Sequence, residues 1–152
     1  MQIRRLDIKE QMPLELLLLS DPCKEMIETY FARSECYIAE IGEQVVGVYV
    51  LLPTRPVTIE LVNIAVREEE QGKGIGKQLL RHAIKVAKEK GCKTIEVGTG
   101  NSSIGQLALY QKCGFNMVSI EKDYFLKHYP ETIYENGIQC RDMVRLSLDL
   151  QT

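Results

Sequence analysis

Three glycines stand at the start of the chain's longest amphipathic pattern, and they constrain the fold more than any other feature. In "LVNIAVREEEQGKGIGKQLL", residues 61–80, an apolar run and a short charged segment precede Gly72, Gly74 and Gly76. Each glycine weakens a helix by about 1 kcal/mol relative to alanine. The residues that follow nevertheless predict a helix over 74–90, with an apolar stripe of Ile75, Leu79, Ala83, Val86 and Ala87.

The glycine-rich turn is suited to binding an anion. A helix N-terminus leaves backbone N–H groups unpaired and carries partial positive charge. Without side chains at the glycines a phosphate can approach the main chain closely, and Lys73 and Lys77 add charge. The spacing excludes a Walker loop, because Arg67 stands where its first glycine would be. It also argues against a dinucleotide fingerprint, which needs Gly-x-Gly-x-x-Gly. A tight strand-to-helix turn without a ligand stays open as the alternative.

The rest of the chain alternates between strand and helix patterns. Strands are predicted over residues 2–8, 36–42, 44–53, 57–66, 92–100, 115–121 and 144–150. Further helices are predicted over 12–20, 21–34 and 102–113, the second with Asp21 as N-cap. Residues 122–139 are long enough for a functional loop. The order βααβββαβαββ predicts an α/β domain around a mixed sheet.

Composition limits the classes of partner. A chain of 152 residues that is 45% hydrophobic predicts one domain over 1–152. The net charge of -2 gives no reason to expect nucleic acid or a membrane surface as partner. The N-terminal segment lacks the apolar core of a signal peptide, so a cytoplasmic protein is expected. Five cysteines without a CxxC pair or a nearby histidine predict reduced thiols and no metal site.

Two motifs carry a family resemblance. "QGKGIG", Gln71 to Gly76, matches the Gln/Arg-x-x-Gly-x-Gly/Ala signature of the GNAT-type N-acetyltransferases and follows an apolar strand. "N...ALYQKCGF", Asn101 with Ala108 to Phe115, is similar to that family's second coenzyme A contact region. The element order agrees as well. The chain therefore resembles this family over about residues 3–150.

The resemblance implies a fold and a co-substrate. The fold would be α/β (α+β), with a mixed, mostly antiparallel sheet of about seven strands flanked by helices. Acetyl-coenzyme A would place its pyrophosphate on the glycine loop and its pantetheine arm along the strand "IAV", where a main-chain N–H polarises the thioester and the sheet is splayed. The implied cofactor-binding residues are Ile64, Ala65, Val66, Gln71, Gly72, Lys73, Gly74, Ile75, Gly76, Lys77, Asn101 and Tyr110.

Two residues are the candidate catalytic groups. By resemblance, the phenol of Tyr110 would protonate the departing thiolate; the alternative is a helix tyrosine that packs on the sheet. Glu60 places a carboxylate inside an apolar strand, where it needs a partner, water or a raised pKa. It also falls where the histone acetyltransferase branch has its glutamate base, although a water chain or simple solvation stays open. Simple alternation puts Asn63 on the opposite face, and a bulge would change that.

The acceptor is the least constrained part. Candidates for its pocket are Tyr30, Phe31, Tyr37, Asn63, Tyr124, Phe125 and His128, each of which is equally suited to packing. The predicted reaction moves an acetyl group to a primary amine by direct attack in a ternary complex, with a small molecule favoured over a protein. An acyl-cysteine route through Cys113 is disfavoured, because no histidine is placed to activate it. The alternative is a non-catalytic acyl-coenzyme A sensing module. A homodimer through the C-terminal strands is possible.

Overall fold

The computed structural model describes residues 1–151 as a sheet with helices on both faces. The strands of the main sheet are β1 Gln2–Arg5, β2 Glu35–Ile41, β3 Gln44–Arg55, β4 Thr58–Val66, β5 Thr94–Gly100, β6 Asn116–Glu121 and β9 Met143–Asp149. A separate hairpin consists of β7 Tyr134–Glu135 and β8 Ile138–Gln139. The helices are α1 Leu14–Ser20, α2 Lys24–Phe31, α3 Ile75–Glu89, α4 Ile104–Lys112 and α5 Tyr124–His128.

The sheet topology confirms the predicted architecture. Seven strands lie in the order β1-β2-β3-β4-β5-β9-β6, and every neighbouring pair is antiparallel except β4 with β5. Parallel neighbours need a crossover, and α3 provides it. The glycine-rich turn therefore leads from the central strand β4 into the crossover helix, which places the turn at the carboxyl end of β4.

Helices cover the two faces of the sheet unequally. The predicted stripe of α3 packs on one face, where Leu79, Leu80 and Ala83 are completely buried. On the other face α1 and α2 cover the region of β2, β3 and β4 through Leu17 and Ile27. Burial of an apolar side chain of this size contributes about 1.5–3 kcal/mol. No helix within residues 1–151 is long and apolar enough to cross a membrane.

Several predicted elements differ from the structure in their bounds or content, and three of these differences bear on the site. Helix α2 begins at Lys24 with Cys23 as its N-cap, whereas Asp21 has an extended backbone and caps the end of α1. The carboxylate of Asp21 still accepts a hydrogen bond from the backbone N–H of Cys23, at 3.2 Å. Strand β3 continues to Arg55, so β3 and β4 are joined by a tight turn in which Val57 has φ +58°. The segment 122–139, predicted as a loop, contains α5 and the β7–β8 hairpin.

Candidate active site

The sheet opens between its two parallel strands. Pairing of β4 with β5 runs from Thr58↔Thr94 to Leu61↔Val97 and then ends. Both strands continue, and β5 stays paired with β9 as far as Gly100. The edge of β4 over residues 62–66 that faces β5 is therefore left without a strand partner. The structure thus shows the splayed sheet that the sequence analysis predicted.

A β-bulge in β4 determines which side chains face this opening. The register with β3 moves from Leu51↔Leu61 to Val50↔Asn63, so Val62 is the extra residue. Ile59 and Leu61 pack under α3, which puts Glu60 on the opposite face. The bulge brings Asn63 to the face of Glu60. The simple alternation used for Asn63 was therefore wrong, since a bulge shifts every later side chain by one position.

The side chain of Asn63 is held by the two N-terminal helices. Its Nδ2 donates to the backbone oxygen of Leu17, at 3.1 Å, and to the Tyr30 hydroxyl, at 3.0 Å. The residue is only 2% exposed, and its Oδ1 has no hydrogen-bond partner within residues 1–151. A buried carbonyl oxygen without a partner is uncommon and calls for a ligand or water. Tyr30 lies behind Asn63, where burial raises the pKa of its phenol to about 12.

Two adjoining cavities form one cleft along the opening. The first, about 500 Å³, extends from the end of β4 over the glycine loop to the start of α4. The second, about 290 Å³, lies between β4 and β5 and reaches Tyr110. The two cavities share Ile64, Ser103, Gln106 and Glu135. The first is also lined by Ala65, Val66, Gln71, Gly72, Gly74, Ile75 and Gly76, all of which were predicted to bind the cofactor.

The glycine loop presents main chain to the cleft. Gly72 and Gly74 have φ of +80° and +85°, a conformation that other residues adopt with strain. Gly74 is the N-cap of α3, and no side chain caps that helix. Lys73 pairs with Glu70, at 2.9 Å; Glu70 lines the cavity, whereas Lys73 does not. Lys77 does not line the cleft either, so the predicted lysine contacts find no support in this arrangement.

Tyr110 lies at the other end of the cleft. It is 3% exposed, lines the smaller cavity, and its ring packs against Phe115 with centroids 5.8 Å apart. Within residues 1–151 its hydroxyl makes no hydrogen bond. Burial raises the pKa of the phenol well above its usual value near 10, so the group keeps its proton at neutral pH. A protonated hydroxyl at this place can donate to a ligand.

Asn101, predicted to contact the cofactor, has other partners. Its Nδ2 donates to the backbone oxygen of Gln139, and its Oδ1 accepts from the backbone N–H groups of Arg141 and Asp142, at 2.8 and 2.9 Å. The side chain does not line the cleft, because these bonds turn it toward the loop before β9. Ser103, at the N-cap position of α4, faces the cleft instead.

Glu60 lies beyond the cleft rather than in its lining. It is opposite Glu96 of β5, on the sheet face opposite α3. Burial raises the pKa of Glu60 above its usual value of 4.5, and Glu96 raises it further, while Arg145 and Arg55 lower it. A carboxylate with a raised pKa accepts a proton more readily than an exposed one.

Only some of the residues predicted for the acceptor pocket line the cleft. Phe125 and Asn63 line the smaller cavity. Tyr124 packs on Phe125, with centroids 5.1 Å apart, and on the exposed His128, at 4.6 Å, and neither Tyr124 nor His128 reaches the lining. Phe31 and Tyr37 also lie outside the cleft lining. Phe31 lines a groove beside β1, and Tyr37 stacks on Tyr49 at 4.8 Å beneath α3.

Several contacts at the cleft were not predicted from the sequence. The hydroxyls of Ser102 and Ser103 both donate to Glu135, at 3.1 and 2.8 Å, so the β7–β8 hairpin lies across the start of α4. The dipeptide Asn136-Gly137 is a strong hairpin signal that would have found this element. Nothing local could have found the bond from the Tyr129 hydroxyl to Asp21, at 2.9 Å, across 108 positions.

Comparison with known proteins agrees with this geometry. The model of the Acetyltransferase (GNAT) family matches residues 8–115. The uncharacterized N-acetyltransferase YvbK of Bacillus subtilis (strain 168) is 59% identical over 153 residues, which is 99% of each chain. Two solved structures superpose with TM-scores of 0.94 and 0.95. The first, described as an IAA acetyltransferase from Bacillus cereus ATCC 14579, is 59% identical and covers 97% of this chain and 98% of its own. The second, a GNAT acetyltransferase from Elizabethkingia anophelis with acetyl-CoA bound, is 47% identical and covers 97% of each chain. This chain therefore belongs to the GNAT acetyltransferase family and is an N-acetyltransferase.

Proposed function

We propose that this protein, as a single domain over residues 1–152, transfers the acetyl group of acetyl-coenzyme A to a primary amine in a ternary complex. The observation that carries the proposal is the cleft between β4 and β5. One wall of the cleft is the edge of β4 that has no strand partner. The glycine loop lies at one end of the cleft, and Tyr110 lies at the other end. A relative 47% identical binds acetyl-CoA, which supports the same co-substrate here.

The cofactor would be bound mainly by backbone. Its pyrophosphate would accept hydrogen bonds from the main-chain N–H groups of Gln71 to Gly76, where the dipole of α3 adds positive charge. Its pantetheine arm carries amides, which can pair with the edge of β4 at Ile64, Ala65 and Val66 in place of a neighbouring strand. Ser103 and Gln106 would form the opposite wall.

Acetyl transfer needs one group that polarises the thioester carbonyl and one that donates a proton to the departing thiolate. A main-chain N–H of β4 would stabilise the oxyanion formed when the amine attacks the thioester carbonyl. The carbon–nitrogen bond forms, the carbon–sulphur bond breaks, and the electron pair leaves on sulphur. Tyr110 would give its proton to that thiolate and recover one from solvent. A coenzyme A thiol has a pKa near 8.5, so protonation makes it a better leaving group.

The acceptor amine must be deprotonated before it can attack the thioester. An alkylamine with a pKa near 10.4 costs about 4–5 kcal/mol to present neutral at pH 7 unless a base removes its proton. Glu60 would be that base, acting through a water, because it lies beyond the cavity lining. Asn63 would align the water or the amine through its unpartnered Oδ1.

We infer a small-molecule acceptor rather than a protein. The acceptor end of the cleft is a cavity of about 290 Å³, bounded by the α1–α2 connection and by Phe125 and Tyr129 of the segment before β9. A volume near the lower end of the usual range for small-molecule sites fits a compact amine.

The test is release of coenzyme A thiol from acetyl-coenzyme A, measured with a panel of amines and confirmed by mass spectrometry of the acetylated acceptor. We expect amine-dependent release with intersecting initial-velocity patterns, as direct attack in a ternary complex requires. Parallel patterns with an acetylated protein intermediate would overturn the direct mechanism. Tight acetyl-coenzyme A binding without thiol release across the panel would support the sensing alternative.

A further inference from the structure

Asp21 is a buried carboxylate without a cationic partner. It is 9% exposed, and its Oδ1 accepts from the Tyr129 hydroxyl at 2.9 Å and from the Cys23 backbone N–H at 3.2 Å. None of the ion pairs within residues 1–151 includes it. Buried carboxylates are rare unless they are paired. Two neutral donors on one oxygen leave most of its charge unbalanced, so a cationic group beside Asp21 would stabilise its ionised form.

Asp21 shares a cavity with a second unsatisfied group. Asp21 and Asn63 both line the cavity of about 290 Å³, and so does Tyr129. The Oδ1 of Asn63 is buried and has no partner within the described residues. A carboxylate accepts hydrogen bonds and does not donate them. The cavity therefore offers two kinds of acceptor oxygen to a ligand that brings N–H groups and positive charge.

The charged groups that line the cavity are acidic. Its lining contains the carboxyl groups of Asp21 and Glu135 and no lysine, arginine or histidine. Burial is the main cause that raises the pKa of Tyr30 and Tyr124, and the charges of Asp21 and Glu60 raise both further. Arg145 does not line the cavity, although its Nη1 comes within 3.5 Å of the position that a Cβ would have on the lining residue Gly98. Its charge lowers the pKa of Tyr124 and of Glu60. Such a site attracts cations and repels anions.

We propose that the acceptor is a short diamine, whose non-reacting ammonium group pairs with Asp21 while its reacting amine donates to Oδ1 of Asn63. The inference rests on the proposed acetyl transfer. Asn63 directly precedes the strand edge assigned to the thioester arm, so it is placed for the reacting end. Asp21 lines the same cavity from the α1–α2 connection, and its backbone N–H and the Asn63 side chain both donate to the backbone oxygen of Leu17. The same arrangement disfavours amines that carry a carboxylate, because that group would meet Asp21.

Three probes of equal carbon-chain length test the idea on the native enzyme. Putrescine ends in a second ammonium, butylamine in a methyl group, and γ-aminobutyrate in a carboxylate. We expect kcat/KM to fall in that order, with putrescine ahead of butylamine by about tenfold or more, as a charged hydrogen bond in a buried site implies. Equal values for putrescine and butylamine would overturn the proposal. No variant is needed for this comparison.

The variant Asp21→Asn tests whether Asp21 causes the preference for putrescine over butylamine. The amide keeps an oxygen for Cys23 N–H and the Tyr129 hydroxyl but removes the charge. We expect kcat/KM for putrescine to fall about tenfold, mainly through KM, with butylamine unchanged and γ-aminobutyrate improved. Glu131→Gln, an exposed acid outside this cavity lining, is the matched control and should change none of the three. An unchanged ratio of putrescine to butylamine in Asp21→Asn would contradict the assignment.

The diamine inference and the proposed acetyl transfer are overturned by different results. Activity with other amines but none with the three probes overturns the diamine inference and leaves acetyl transfer intact. Binding of acetyl-coenzyme A without thiol release for any amine overturns the proposed function itself.

Discussion

At the scale of single residues, Glu60 and Tyr110 are the groups proposed for the two proton transfers, and the functional group of each can be removed with little change in side-chain volume. Glu60→Gln should lower kcat by about a hundredfold or more, the usual contribution of a general base. Burial raises the pKa of Glu60 above 4.5, and only its ionised form accepts a proton. The native rate should therefore fall with decreasing pH through a midpoint above 4.5, and a kcat–pH profile of the variant should lack that limb.

Glu96→Gln is the matched control, because Glu96 is paired with Glu60 across the parallel strands. The Glu96 carboxylate raises the pKa of Glu60, so its removal should move the acidic limb to lower pH while kcat at neutral pH is retained. If Glu60→Gln kept both the rate and the limb, the base would be another group.

Tyr110→Phe should separate catalysis from stability. The phenyl ring keeps its packing against Phe115, and the lost hydroxyl has no hydrogen bond within residues 1–151. The free energy of unfolding in urea should therefore be unchanged or slightly higher. We expect kcat to fall by about tenfold to a hundredfold, with the Kd for acetyl-coenzyme A unaffected. A variant with native kcat would show that Tyr110 only packs.

At the scale of elements, the glycine loop gives a pair of opposite predictions. Gly74 has φ +85°, so Gly74→Ala should destabilise the ligand-free protein by about 1–2 kcal/mol. Gly76 lies in α3, where an added Cβ would only touch Val66 and Leu109 at 3.8 and 3.9 Å. Gly76→Ala should then be neutral or stabilising by up to about 1 kcal/mol. Urea unfolding measures both, and changes of the same sign would contradict this account of the turn.

The same elements show what a sequence can predict. The glycine loop, α3 and the strand before it follow local patterns, so their order and the glycine-loop end of the cleft were predicted from residues 61–90. The acceptor end was not, because it depends on contacts between distant segments. The bulge at Val62 turned Asn63 to another face, and Tyr129 reaches Asp21 across 108 positions. Asn101 is a third case. Its side-chain amide bonds to three backbone groups of the segment before β9, and that segment has no sequence periodicity from which these bonds could be predicted.

At the scale of the whole molecule, strand β6 is the exposed edge of the sheet. All six of its residues are exposed, including Met117, Val118 and Ile120, the last at 63%. A free apolar edge strand favours pairing with another chain, and a two-fold axis would let β6 pair with itself. We predict a concentration-dependent homodimer in sedimentation velocity. Ile120→Lys should shift it to monomer without a change in the Kd for acetyl-coenzyme A, and a native protein that is monomeric throughout would contradict the prediction.

The cleft between β4 and β5 is the proposed site of acetyl-coenzyme A, and both the proposed reaction and the diamine inference depend on it. A crystal structure of this protein with acetyl-coenzyme A tests that claim most directly. The pyrophosphate should accept hydrogen bonds from the main chain of Gln71 to Gly76, the arm should follow Ile64 to Val66, and the sulphur should lie beside the Tyr110 hydroxyl. Electron density that places the arm outside the opening of the sheet, or the sulphur away from Tyr110, would contradict the account.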